Sequence, residues 1–554
     1  MEETLNAMKT SWLAKAGLVL WVVNCATSLI QADDWPQWGG HDFGRNMVSS
    51  ARNLPASFTP KSTPGTVENV RWMAPMGNYV YGNPTIAGGR VLVGTDDTVI
   101  ADDPRFRRTK GGMVHCLDEA TGKTLWRLVV PQRPKNRLPE GAHYSQQHMG
   151  TCSSAAIVGQ RAYLMTSACE IICLDMKGQA DGNDGLFQDE GRYMAGQGNP
   201  PIELGPRDAD ILWVCDLVDQ LGVCPHDVAS CSPLVDGRIL YTVTSNGVDG
   251  PHVKCLRPDA PSFIALDTET GRLLATDTEG TGHTMWHTLW APPSLGVVKG
   301  RKLVFFGGAD GICYAFEALR SVPKEPVHFK KVWHYDCNPP NYRQPEGKPF
   351  NYYIGDRRKT YSTNKDDGTF LGPSEIISTP VFYKGRVYVT IGQDPMHGRG
   401  RGLLHCIDPS KTGDITQSGR VWTYDALERS IGSVAIADGL LYAVDLAGRV
   451  HCLDVATGKP FWVYETHAET WATPLVVDGK VFIGNKKRLE VFATGKEPKL
   501  LAEISLGTAS YGTPVAVNST LFVSSHRYLW AVQKGATLPP PAAPSAVKVE
   551  ASRP

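Results

Sequence analysis

Short apolar runs separated by glycine turns dominate the chain from about residue 70 onward. Arg90-Val91-Leu92-Val93 and Lys480-Val481-Phe482-Ile483 are typical: β-branched, apolar, and too short for helices. Such runs suit buried strands. They recur in a fixed phrase. A Ser/Thr-Pro opens a short apolar strand, Gly-Arg or Gly-Lys leads into a second, and a third ends in a small residue, an apolar residue and Asp. Thr-Gly-Lys follows, and then a Trp. Self-similarity of this kind identifies a repeat architecture before any single motif does.

Two copies are nearly complete: Cys116-Leu117-Asp118-Glu119-Ala120-Thr121-Gly122-Lys123-Thr124-Leu125-Trp126, and Cys452-Leu453-Asp454-Val455-Ala456-Thr457-Gly458-Lys459-Pro460-Phe461-Trp462. The same third-strand position anchors eight copies, at Cys116, Cys173, Ala265, Ala315, Cys406, Cys452, Val491 and Ala531. Asp followed by Thr-Gly is turn chemistry, in which the carboxylate takes up nearby N–H groups and Gly supplies positive φ. The Trp can lie across the neighbouring unit, with its N–H reaching a turn. Trp333 and Trp422 hold that place in degenerate copies, with Trp213 a further candidate.

These residues resemble the tryptophan-docking repeat of the PQQ-like propeller family, with Cys in place of the family's Ala in the two full copies. The resemblance covers roughly residues 69–535. It implies an all-β fold, an eight-bladed β-propeller of four-stranded antiparallel blades. The last repeat, Tyr511 to Gln533, lacks a docking Trp, whereas Asn69 to Ala74 carries an unclaimed one, Trp72. That segment is expected to supply the outer strand of the eighth blade and so remove a free sheet edge. Residues 33–68 form an N-terminal extension, of which 33–60 are expected on the outside of the ring, and 536–554 a disordered Pro/Ala-rich tail.

With strands A to D running from inside to outside, B–C turns and D–A links share one face. The long insertions 94–112, 245–262 and 392–402 are B–C links, and 129–150, 214–230, 275–291 and 334–376 are D–A links. The exception is 176–211, a C–D insertion. One face is therefore decorated, and loops on a rigid scaffold carry binding groups. Its candidate ligand residues are His143, His148, His226, His283, His287, Trp286, Trp290, Tyr352 and Tyr353, alongside His252 and His334.

Lys+Arg equals Asp+Glu, and no basic block stands out, which excludes a nucleic-acid footprint. Lys9 and Lys15 flank the start of an apolar run, Ala16 to Val23, and a small-residue site ends at Ala32. Residues 1–32 thus read as a signal peptide, and the mature chain as periplasmic or secreted, without a transmembrane segment. Cys25 raises a lipid anchor, which Asn24 before it disfavours. Of thirteen Cys, four are repeat anchors and read as buried core; disulfides are expected among the others, chiefly in blades two to four. Asp181, Asn183, Asp184 and Asp189 offer the hard oxygen ligands of a Ca²⁺ site, although the run does not match an EF-hand loop.

The resemblance implies two functions. Quinoprotein dehydrogenases of this fold hold PQQ beside Ca²⁺, often on a disulfide of adjacent Cys; this chain has no adjacent Cys pair and no motif matching the family's ligands. Outer-membrane assembly scaffolds share the repeat and typically lack catalytic residues. The reading is an exported scaffold that binds a protein partner or extracellular ligand through its looped face. The rival is a PQQ-dependent oxidoreductase acting on an alcohol or sugar.

Overall fold

The computed structural model describes residues 34–60, 67–144, 148–338, 340–343, 353–354, 357–358, 374–392 and 400–538. The expected signal peptide and most of the C-terminal tail lie outside them. Eight four-stranded antiparallel blades form a ring. Their inner strands are Thr85–Ala87, Ala156–Val158, Leu234–Asp236, Ser294–Val298, Val381–Tyr383, Ala435–Ala437, Leu475–Val477 and Val515–Val517. Blade 1 continues through Arg90–Asp96, Gly112–Asp118 and Thr124–Val130. In blade 8 the outer strand is Val70–Pro75, antiparallel to Tyr528–Gln533, so the two ends of the propeller close the ring as the unclaimed Trp72 required.

Each repeat anchor is buried on its third strand. Small side chains stand there because the docking residue lies directly across the ladder: Trp126 opposes Cys116, Trp213 opposes Cys173, and Trp72 opposes Ala531. A bulge interrupts the outer ladder at this point in every blade. The extra residue turns the indole out of its own sheet and toward the next blade. There it reaches a turn carbonyl: Trp72 Nε1 donates to Glu119 O at 2.8 Å, Trp126 to Met176 O at 2.8 Å, Trp213 to Thr268 O at 2.9 Å. Trp422 and Trp462 do the same to Val455 O and Gly495 O. Trp333 is buried in the equivalent place against Phe305. Asp118 and Asp454 organise the receiving turns by accepting from the backbone and hydroxyl of Thr121 and Thr457. Gly122 sits under the Trp72 ring at φ 70°, and a Cβ there would fall 2.5 Å from the indole, so the turn needs Gly for space as well as for conformation.

The inner seam is built by a second rule. In most blades the residue two positions before the inner strand sends its backbone N–H to the side chain of its counterpart in the next blade. Asn83 N donates to Ser154 Oγ at 2.8 Å, and Ser154 N to Ser232 Oγ at 3.0 Å. Thr379, Ser433 and Thr473 continue the circle to Thr513, whose N–H closes it on Asn83 Oδ1 at 2.7 Å. Blade 4 breaks the circle, because Pro292 has neither an N–H nor a polar side chain.

The N-terminal extension is not on the outside of the ring, as expected from sequence, but along its axis. Trp35 bridges Ile86, Pro36 O accepts from Ile157, Phe43 O from Leu295, Gly44 O from Phe382, and Val48–Ser49 pairs in parallel with Leu475–Val477. Asn46 bonds both ways with Ile436, and Ser49 Oγ donates to Ala516 O. Inner strands leave one edge of N–H and C=O groups facing the axis, and a buried edge must be paired; the extension pairs it. Arg45 stands at the break in the circle. Buried, it donates to Pro293 O at 3.0 Å, Pro233 O at 2.9 Å and Trp38 O at 2.5 Å, tying blade 3 to blade 4.

The twelve described Cys are free thiols, eleven of them buried, in place of the disulfides anticipated from export. Burial pushes the Cys116 and Cys452 thiols up to about 12, which keeps them protonated core residues.

Two substitutions test these joints. Trp126→Ala is expected to cost about 3–5 kcal/mol in urea denaturation, as a large buried side chain leaves a cavity. Arg45→Met is expected to cost about 3 kcal/mol or more, because it strands buried carbonyls. An Arg45→Met protein as stable as the parent would show that blades 3 and 4 need no such tie.

Candidate functional site

The residues lying two positions before the circle of hydrogen bonds ring an axial cavity of about 200 Å³ on the looped face: Tyr81, Cys152, Ser230, Trp290, Ile377, Ile431, Trp471 and Tyr511, one from each blade. The circle residues themselves, Asn83, Ser232, Thr379, Ser433, Thr473 and Thr513, lie below them, and Trp38 of the extension closes the floor. Tyr81, Trp471 and Tyr511 stack: Trp471 and Tyr511 are 4.1 Å apart between centroids at 12°, and Tyr81 is 5.8 Å from Trp471 at 18° and 6.1 Å from Tyr511 at 6°. His526 meets Tyr81 and Tyr511 edge-on. Among the described lining residues there is no Lys or Arg, and Asp227 is the single acid.

Beside the cavity, on the wall it shares through Asp227 and Trp290, histidines from four links converge. His143 comes from the link into blade 2, His226 from the link into blade 3, His252 from the B–C insertion of blade 3, and His287 from the link into blade 4. The ligand atoms of His226, His252 and His287 lie within 4.8 Å of one another. Asp227 reaches into the group. Its carboxylate is 3.2 Å from His143 Nε2, 3.6 Å from His226 Nε2 and 3.5 Å from His287 Nε2. Behind them, Glu375 Oε1 stands 3.8 Å from His287 Nδ1, and its Oε2 accepts from Thr288 N. His226, His287 and Glu375 are fully buried, while His143 and His252 are half-buried.

Backbone conformation serves this convergence. Asp227 and His252 hold left-handed φ values of 54° and 57°, which for non-glycine residues is kept only where the surroundings enforce it. Cross-loop bonds do so: Asp227 N donates to His143 O at 2.7 Å, Val248 N to His287 O at 2.9 Å, and Gly247 N to Cys224 O at 2.9 Å. Trp290 Nε1 donates to Val228 O at 2.7 Å, fixing the indole between the cavity and His287.

Of the residues nominated from sequence, His143, His226, His287 and Trp290 come together here. Trp286 is buried in the same link, and His148 is half-buried close to the cavity residue Met149. His283 is exposed and pairs with Asp259, away from the group. Tyr352 lies outside the described residues, and Tyr353 opens a two-residue ladder with Arg357–Arg358. The nominated calcium ligands are each tied to a different partner: Asp181 to Lys177, Asp189 to Arg192, Asn183 to Glu190, and the Asp184 backbone to Asp210. Sequence reading missed the aromatic ring of the cavity and the role of Glu375. The cavity had a signal, because its wall falls at one position of the repeat, two residues before the Ser/Thr-Pro.

The family model described as outer membrane protein assembly factor BamB matches residues 66–272 and 400–495, more than half of the chain. The chain belongs to that family. Beyond the BamB family, the quinohemoprotein alcohol dehydrogenase of Comamonas testosteroni is 32% identical over 126 residues, 20% of this chain and 16% of that protein. The chain thus spans under a fifth of that relative's length. Among solved structures, a europium-containing methanol dehydrogenase superimposes with a TM-score of 0.51 at 13% identity, covering 91% of this chain and 90% of the other. BamB from Moraxella catarrhalis gives 0.47 at 13%, over 84% and 97%. At such identities the structural likeness shows the fold alone.

Burial lowers His526 to about 4, and His115 and His405 likewise to about 4. These rings stay neutral in the folded protein but take up protons near pH 6.5 once unfolded. Stability is therefore expected to be full above about pH 7 and to fall progressively between pH 6.5 and 4. Melting temperature measured across that window checks this, and His526→Gln should flatten part of the slope.

Proposed function

We propose that this protein is a binding propeller, exported from the cytoplasm, whose looped face takes a neutral ring-bearing ligand at the axial cavity, a saccharide unit being the chemistry that matches. The observation that supports this most is the cavity lining. A stacked aromatic wall of Tyr81, Trp471 and Tyr511 faces a hydroxyl-rich lower ring of Ser232, Thr379, Ser433, Thr473 and Thr513. Sugar rings present one apolar C–H face and a polar edge, and few convergent polar groups in an otherwise aromatic pocket are what orients such a ligand. The position two residues before the hydrogen-bond circle supports the reading as well, since one repeat position supplies a wall around the whole mouth.

The quinoprotein alternative fares less well on the same residues. PQQ is a flat tricarboxylate, and burying three negative charges calls for cationic partners. Among the described lining residues there is none, and Asp227 would repel it. The cavity therefore does not fit this cofactor.

Calorimetric titration of the purified protein with a panel of neutral oligosaccharides, followed by tryptophan fluorescence, tests the proposal. Saturable binding weakened about two- to tenfold by Trp471→Ala is the expected outcome, the worth of one aromatic stacking contact. Saturable binding of PQQ with no response to any saccharide would replace this reading with the oxidoreductase.

A further inference from the structure

We infer that His226, His252 and His287, together with Asp227, bind one divalent transition-metal ion of the zinc type in the wall of the axial cavity. This site is carried by its own geometry and does not depend on which ligand the cavity takes.

The donor set is assembled, not incidental. Its three imidazoles arrive from three separate connections of blades 2 to 4, and their ligand atoms lie within 4.8 Å of one another. The carboxylate of Asp227 stands 3.6 Å from His226 Nε2 and 3.5 Å from His287 Nε2. Three imidazole nitrogens and one carboxylate oxygen are the ligands that suit zinc and its neighbours, whereas calcium and magnesium demand oxygen throughout. Four donors held about 2.0–2.1 Å from one ion stand roughly 3.4 Å apart. The rings therefore need to draw in by roughly an ångström, which His252, half-buried on its loop, has room to do.

The outer contacts are those that orient metal ligands. Nδ1 of His226 lies 2.7 Å from Val248 O. A carbonyl can only accept, so Nδ1 carries the proton and Nε2 presents its lone pair to the cluster. His287 has Nδ1 toward Glu375 and Nε2 toward Asp227, the carboxylate–imidazole relay that raises ligand basicity. Glu375 is itself fixed by Thr288 N. His143, whose Nε2 lies 3.2 Å from the other oxygen of Asp227, stands in the same relation to the carboxylate ligand. Buried Glu375 and nearly buried Asp227 set two carboxylates beside the imidazoles, and carboxylate oxygens are among the ligands zinc takes. Because Asp227 also lines the cavity, the ion would stand where a hydroxyl of a cavity ligand could complete its coordination.

The full-length protein, dialysed against chelator, should take up one equivalent of Zn²⁺ in a dye-competition titration, and Co²⁺ should give the visible ligand-field bands of a four-coordinate site. His226→Ala and His287→Ala are each expected to lower Zn²⁺ affinity at least about a hundredfold, and Glu375→Gln about ten- to a hundredfold. His283→Ala, on the exposed pair with Asp259, should leave it unchanged. The wild-type stoichiometry and Co²⁺ spectrum stand even where a histidine variant fails to fold. A folded wild-type protein that takes up no stoichiometric Zn²⁺ overturns the assignment. So does an affinity that falls as far in His283→Ala as in His226→Ala.

Discussion

Around the axis, backbone N–H groups of one blade meet side-chain oxygens of the next, and everything else in the molecule is positioned by that circle. It fixes where each inner strand begins, and therefore which side chain two residues earlier faces the mouth. Blade spacing then sets where the docking tryptophans land on the outside. The two joints differ in kind. The inner one is a set of short, directional bonds between groups that would otherwise be buried without partners. The outer one is broad aromatic burial against a glycine turn. Register comes from the first and much of the cohesion from the second.

The fold was legible in the sequence because a repeat writes the same constraint eight times. Cys116 and Cys452 could be recognised as core residues, not reactive thiols, since Ala and Val fill their place in other blades. The unclaimed Trp72 located the closing strand. Turn counting placed seven insertions on one face, and His143, His226, His252, His287 and Glu375 do arise from those insertions.

Within the face, sequence could go no further, for a physical reason. The histidines converge from connections of different blades, and their spacing in the chain carries no trace of a ligand pattern such as a helix would impose. The acidic run at Asp181 sent the opposite message, with oxygen ligands close in sequence but Lys177 and Arg192 close enough to pair with them. Loop composition thus nominated acids that pair with cations beside them and, in His283, an exposed histidine that pairs with Asp259. The extension was misplaced because nothing in residues 33–68 repeats, and an irregular segment reads the same whether it lies inside or outside a ring. The cavity and the histidine pocket share Asp227 and Trp290, so what occupies one bears on the shape of the other.

The threading of the extension has a consequence for biosynthesis. Residues 35–49 bond to inner strands of seven blades and, through Arg45, to Pro233 just before the inner strand of blade 3, and the last blade ends near residue 533. They leave the ribosome before any blade, yet their partners are complete only when almost the whole propeller has been made. Sliding a strand into a finished ring would require the circle to open, so the blades must assemble around the segment, much as staves are raised around a post. This segment is then held open for longer than any blade, and any trap or chaperone acting on this protein meets it before it meets a blade.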